Sequence, residues 1–92
     1  MPLADYFSSD EHAAEKADLP LLAALIEHYR DEQVFRDCRV TFAHLLVANS
    51  MVVAEALVAG GADLVLADAF DSPATQPIRQ SLDAHSVRLY GP

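Results

Sequence analysis

A single cysteine, Cys38, stands in this chain of 92 residues, so neither an intramolecular disulfide nor a four-thiolate zinc site can form within it. Basic residues are also scarce: six Lys and Arg face 14 acidic residues, a formal net charge of -8. The arginines at 30, 36, 39, 79 and 88 are scattered among acids and form no basic stripe, which speaks against a nucleic-acid partner. No apolar run approaches the roughly 20 residues that cross a bilayer, and Met1-Pro2-Leu3-Ala4-Asp5-Tyr6 is neither basic nor continuously apolar. An uncleaved chain in a reducing cytoplasm, without a membrane partner, is expected. Glycine is short where it would matter most. The turn His44-Leu45-Leu46-Val47-Ala48-Asn49-Ser50 lacks the glycines that cradle a dinucleotide phosphate, so NAD is not expected as a cofactor, nor is any other.

What remains is 52% apolar and long enough for one domain. Residues 1–17 are mixed and polar, with Ser8-Ser9-Asp10 a cap for a short helix from about Glu11 to Ala17, and read as a peripheral amino-terminal segment. Residues 18–92 read as the domain proper. Leu21, Leu22, Leu25, Ile26 and Tyr29 recur at helical spacing, so one face of that helix must be buried. Arg39 to Leu46 is rich in β formers and mostly apolar, as a parallel strand covered on both faces would be. Asn49 or Ser50 can cap the next helix, which Gly60-Gly61 stops; Leu64 to Ala67 is a second strand. Pro77 suits the first turn of a helix running to Ala84, closed by His85-Ser86, and Val87 to Tyr90 is a third strand. The predicted fold is therefore α/β: a small three-layer Rossmann-like domain with a three-stranded parallel sheet in the order 2-1-3, its crossover helices on opposite faces, and an additional amino-terminal helix.

Several of these pieces resemble the amino-terminal part of adenosylhomocysteinases. They are Glu15-Lys16-Ala17-Asp18-Leu19-Pro20-Leu21-Leu22, Arg39-Val40 entering the first strand, Glu55-Ala56-Leu57-Val58-Ala59-Gly60-Gly61-Ala62-Asp63-Leu64, and Thr75-Gln76 before the last helix. The resemblance spans roughly residues 13 to 91 and implies a fragment of a substrate domain from enzymes that reversibly cleave S-adenosylhomocysteine using bound NAD. In that family a His, a Thr and an acidic or amide residue on the first-strand turn hold the adenosine. An ungapped match puts Leu45, Val47 and Asn49 there, so only Asn49 remains polar, and His44 matches the histidine only after a one-residue shift. The family's later lysine and aspartate and its NAD-binding domain have no counterpart here, so hydrolase activity by this chain alone is not expected.

The residues themselves point to the same edge. His44, Asn49, Ser50, Asp68 and Asp71 could converge at the carboxyl ends of the strands as a ligand-binding set, although Asn49, Ser50, Asp71 and Ser72 are also ordinary cap and turn residues. His44, Asp68 and Asp71 have ligand chemistry without metal-motif spacing, and no metal is expected. Asp10 and His12 show nothing specific, Cys38 reads as a buried structural thiol, and His28 and His85 lie away from the edge. Two open sheet edges and helices over few strands call for association, as a homodimer or in a hetero-complex with an enzyme. The functional expectation is a non-catalytic, adenosylhomocysteinase-like module that binds itself, a partner enzyme or an adenosine-type ligand. The alternatives are a small enzyme with His44 as general acid or base, and a purely structural subunit.

Overall fold

A computed structural model describes residues 2–44, 46–68, 73–85, 87 and 89–90. In chain order the elements are α1 (Pro2–Phe7), α2 (Asp10–Ala17), α3 (Pro20–Glu32), β1 (Arg39–His44), α4 (Ala48–Ala59), β2 (Asp63–Asp68), a 3-10 turn (Pro73–Thr75), α5 (Gln76–Ala84) and β3 (Leu89–Tyr90). Local chemistry accounts for most of these boundaries. Ser9 caps α2 by accepting from the His12 amide at 3.3 Å, while its hydroxyl donates to the Tyr6 carbonyl at 2.7 Å, which fixes the angle between α1 and α2. Pro20 opens α3, and Pro77 lies in the first turn of α5. Gln33 ends α3 in the left-handed conformation and its amide nitrogen donates to the Ala59 carbonyl at 2.8 Å, tying the ends of α3 and α4 together.

The Gly60-Gly61 stop after α4 is required twice over. Gly61 has φ +100, a conformation open to glycine, and a Cβ on Gly60 would lie 2.7 Å from the Phe35 ring. The close approach lets the Phe35 amide donate to the Gly60 carbonyl at 2.7 Å, so the turn before β1 is fastened to the turn before β2.

β1 and β2 pair in parallel over their whole length, from Arg39 opposite Asp63 to His44 opposite Asp68. β3 adds only two register pairs, Leu66 with Leu89 and Ala67 with Tyr90, on the other side of β2. The α/β class stands, but the expected three-stranded sheet in the order 2-1-3 does not: this is in essence a two-stranded parallel sheet, and its short third piece gives the order β1-β2-β3. The layering changes with it. Met51 and Ala54 of α4, Ile78 and Leu82 of α5, and Tyr6 of α1 form one buried cluster with Leu66, against which Phe42, Leu64 and Leu89 pack. Both crossovers advance in the same direction, so their helices lie on one face of the sheet rather than two. On the opposite face, Thr41 and Ala43 of β1 are exposed, and Val65 and Ala67, their register partners, are half-buried.

Helix α4 is apolar on nearly all sides because it is enclosed. One flank meets the sheet cluster, and the other packs Val52 and Ala56 against Ile26 of α3. The amino-terminal segment, expected at the periphery, sends two side chains, Tyr6 and His12, into the interior beside α4, while Ala4, Asp5, Asp10, Ala13 and Ala17 stay exposed. Cys38, expected to be buried, is exposed in the turn that enters β1. The segment 33–38 is a solvent-facing connector whose left-handed Asp37 turns the chain just before Cys38.

Among the described residues, no helix is long and apolar enough to cross a membrane. Because the core lies on one face, truncations should divide sharply. Leu82→Ala, at 0% exposure, should lower unfolding free energy by about 2–5 kcal/mol, and Leu21→Ala, at 86% exposure, by no more than about 0.5 kcal/mol in urea titrations. Equal losses would contradict this placement of the core.

Candidate functional site

At the carboxyl edge of the strands, three of the five expected residues are brought together. His44 closes β1 directly opposite Asp68, whose position is described for the backbone alone. Ser50, buried in the first turn of α4, places its hydroxyl 3.0 Å from His44 Nδ1, a side-chain hydrogen bond across the β1–α4 turn. Asn49 is exposed in that same turn, and Asp71 lies outside the described residues. Neither Asn49 nor Ser50 is the helix cap: α4 begins at Ala48, and Val47 occupies the cap position with no side-chain bond. His44 is an exposed edge histidine whose ring bonds to Ser50 and meets the Phe42 ring edge-on at 5.5 Å. Cys38 is at the opposite end of β1, and His28 is exposed on α3.

A second cluster is stronger in geometry and was not expected from the sequence. Glu55 sits in the middle of α4 at 6% exposure, and its carboxylate is met from two other helices. His12 of α2, at 0% exposure, donates from Nε2 to Glu55 Oε1 at 2.6 Å. Lys16, one turn further along α2, donates to both carboxylate oxygens at 3.2 Å. Arg30 of α3 stands 3.8 Å from Oε2. Burial by itself would push the Glu55 carboxyl up, but the hydrogen bonds and charges of His12 and Lys16 outweigh it and hold the group below the usual glutamate range.

His12 has a second ring nitrogen. Its Nδ1 is buried without a hydrogen-bond partner among the described residues and lies 3.9 Å from Glu15 Oε2, which is likewise buried and unpartnered. Burial pushes the Glu15 carboxyl up; the nearby His12 opposes this and Glu11 adds to it. Burial, helped by Glu15 and Glu11, also pushes the Tyr6 phenol above its ordinary range. Tyr6, Glu11, Glu15, Ile78, Ser81 and His85 line a groove of about 400 Å³ between the amino-terminal helices and α5. On the far side of Glu55, Lys16 and Arg30 line a larger opening of about 640 Å³.

Two signals in the sequence could have disclosed this cluster. A lone carboxylate inside Val52-Val53-Ala54-Glu55-Ala56-Leu57-Val58 demands a partner, because an unpaired buried charge is not tolerated. His12, Glu15 and Lys16 fall at the i, i+3 and i+4 spacing that puts them on one helical face. What pattern reading cannot supply is the pairing of residues 43 positions apart.

Neither the protein-family models nor the curated proteins compared with the chain match it. Among the described residues, no three His, Cys, Asp or Glu side chains gather closely enough to hold a metal ion.

The pH dependence follows from Glu55. Its folded pKa lies below the unfolded value, so the stabilisation is complete above about pH 4.3 and disappears as pH falls through the lower folded value. Glu15, with a raised folded pKa, works in the opposite sense just above that range. Glu55→Gln should cost about 3 kcal/mol at pH 7 and flatten the acid limb of the stability curve. Parallel curves for the variant and its parent between pH 3 and 6 would sink this account of Glu55.

Proposed function

We propose that this chain is a non-catalytic binding module that works by self-association, and that it belongs with adenosylhomocysteinase-like substrate-domain fragments. One observation supports the association: among the described residues, the helices cover the parallel sheet on a single face. Parallel sheets are ordinarily buried on both faces, and here Thr41, Ala43, Val65 and Ala67 form a flat band of small, uncharged side chains. The net charge of -8 lies elsewhere, so two copies can meet on this band without opposing like charges. At one end of it the exposed Arg39 and Asp63 pair at 3.3 Å, and a twofold-related copy could exchange these partners reciprocally. Sheet faces of this kind stack about 10 Å apart with small side chains interleaved.

Light scattering should give twice the chain mass, and Ala43→Glu, which puts a carboxylate on the exposed band, should return the monomer with the helical content unchanged. A monomeric parent would overturn the association.

An adenosine-type ligand belongs to the same proposal at the strand edge, where the His44–Ser50 bond and the Asp68 register position support it. Calorimetry with adenosine should show heat for the parent and about tenfold weaker binding for His44→Ala and Asp68→Ala, with folding nearly intact. Equal binding by parent and variants would remove the ligand from the proposal. The small-enzyme reading has that same hydrogen bond in its favour, because a hydroxyl beside an imidazole is the arrangement that activates a nucleophile. It requires turnover that Ser50→Ala abolishes.

A further inference from the structure

We propose that the outer face of α3 docks a basic amphipathic helix of a partner protein, with apolar anchors seated on Leu21, Ala24 and Leu25 and cationic side chains reaching Asp31 and Glu32. The proposal is independent of the sheet-face association and of the strand edge.

Helix α3 is apolar on two sides. Leu22, Ile26 and Tyr29 form the inner one, packed with Val52 and Ala56 of α4. The outer stripe, Leu21, Ala24, Leu25 and His28, follows the i, i+3, i+4, i+7 spacing by which one helix receives another. Among the described residues nothing covers it: Leu21, Ala24 and His28 are exposed and Leu25 is half-buried. At its amino-terminal end Leu19, Pro20, Leu21 and Leu22 line an opening of about 430 Å³, rimmed by Asp18 and roomy enough for a large apolar side chain. A single exposed leucine needs no explanation, but a stripe that ends in an apolar opening marks a contact surface.

Charge decides the occupant. The carboxyl end of α3 is the negative pole of the helix, and Asp31 and Glu32 stand in its last turn, where carboxylates are unfavourable. Glu27 and Asp31 are also like charges one turn apart. Arg30, the basic residue of that turn, is committed to Glu27 and Glu55, and among the described residues no cation pairs with Asp31 or Glu32. A second copy of the chain does not relieve this. Stripe against stripe, parallel or antiparallel, it brings Asp18, Asp31 and Glu32 up to more carboxylates, on a molecule of net charge -8. A basic helix laid antiparallel to α3 does relieve it: its positive amino-terminal pole and its lysines or arginines meet Asp31 and Glu32, while an apolar residue near its other end fills the opening beside Leu21.

The probe is a synthetic peptide of leucine and lysine, about 18 residues long, with its leucines at helical spacing on one face. It is titrated into the full chain at pH 7 and about 0.15 M salt and followed by amide NMR shifts, beside a scrambled peptide of the same composition. Saturable shifts centred on Leu21, Ala24, Leu25, His28, Asp31 and Glu32 are expected, with a Kd on the order of 10 μM and at least about tenfold weaker binding of the scrambled peptide. The residues chosen for substitution are exposed, so the variants keep the parent fold. Leu21→Ser should weaken binding about tenfold and Asp31→Asn about threefold, whereas Asp83→Asn, which removes an exposed charge on α5, should leave it unchanged. Equal binding of the two peptides, equal loss in Asp31→Asn and Asp83→Asn, or shifts spread over all acidic residues would reduce the effect to net charge and overturn the site. A dimer of the parent that Leu21→Ser dissolves would also overturn it, by giving the stripe to a second copy.

Discussion

A carboxylate in the middle of an apolar helix is the constraint around which the amino-terminal half is arranged. Glu55 would be intolerable in α4 without partners, because burying an unpaired charge costs more than a small domain has to spare. His12 and Lys16 meet it from α2, and Arg30 approaches from α3. Once α2 is held there, the Ser9 junction carries α1 back along the core and delivers Tyr6 between α4 and α5. The ion pair is thus a register device: it specifies which face of α2 lies on α4, and apolar packing supplies most of the stability.

That arrangement also explains the uneven sheet. Helices α1, α4 and α5 share one cluster on a single face, and α3 packs on the outer flank of α4. Every described helix is therefore engaged on the same side as α4, and no described helix covers the other face of β1 and β2, where Thr41 and Ala43 are exposed and Val65 and Ala67 half-buried. That exposed face is the physical basis of the proposed association.

Much of the fold was legible in the residues. Ser9, Pro20, Gly60-Gly61 and Pro77 punctuate the chain where expected, and β1 and β2 lie within a residue or two of their predicted spans. Strand order was not legible, because the rule for right-handed crossovers fixes the face of each helix only once the direction of advance is known, and nothing in residues 60–90 encodes that direction. The place of residues 1–17 was missed for a related reason. Tyr6 and His12 are single buried residues in short polar helices, and their burial depends on Glu55, far away in sequence. At the strand edge, His44 bonds to Ser50 and lies opposite Asp68 in register, but Ser50 is not the cap its residue type suggested, since α4 starts two residues earlier.

The account turns on the coupling between α2 and α4, and a double-mutant cycle on His12 and Glu55 measures it most directly. Urea unfolding of His12→Leu, Glu55→Leu and the double variant at pH 7 isolates the pairwise term from the cost of each truncation. A favourable coupling of about 2 kcal/mol or more is predicted, with the double variant more stable than Glu55→Leu or His12→Leu alone. Additive single effects, with coupling near zero, would show that α2 docks by apolar contact alone and would contradict the central role given to Glu55.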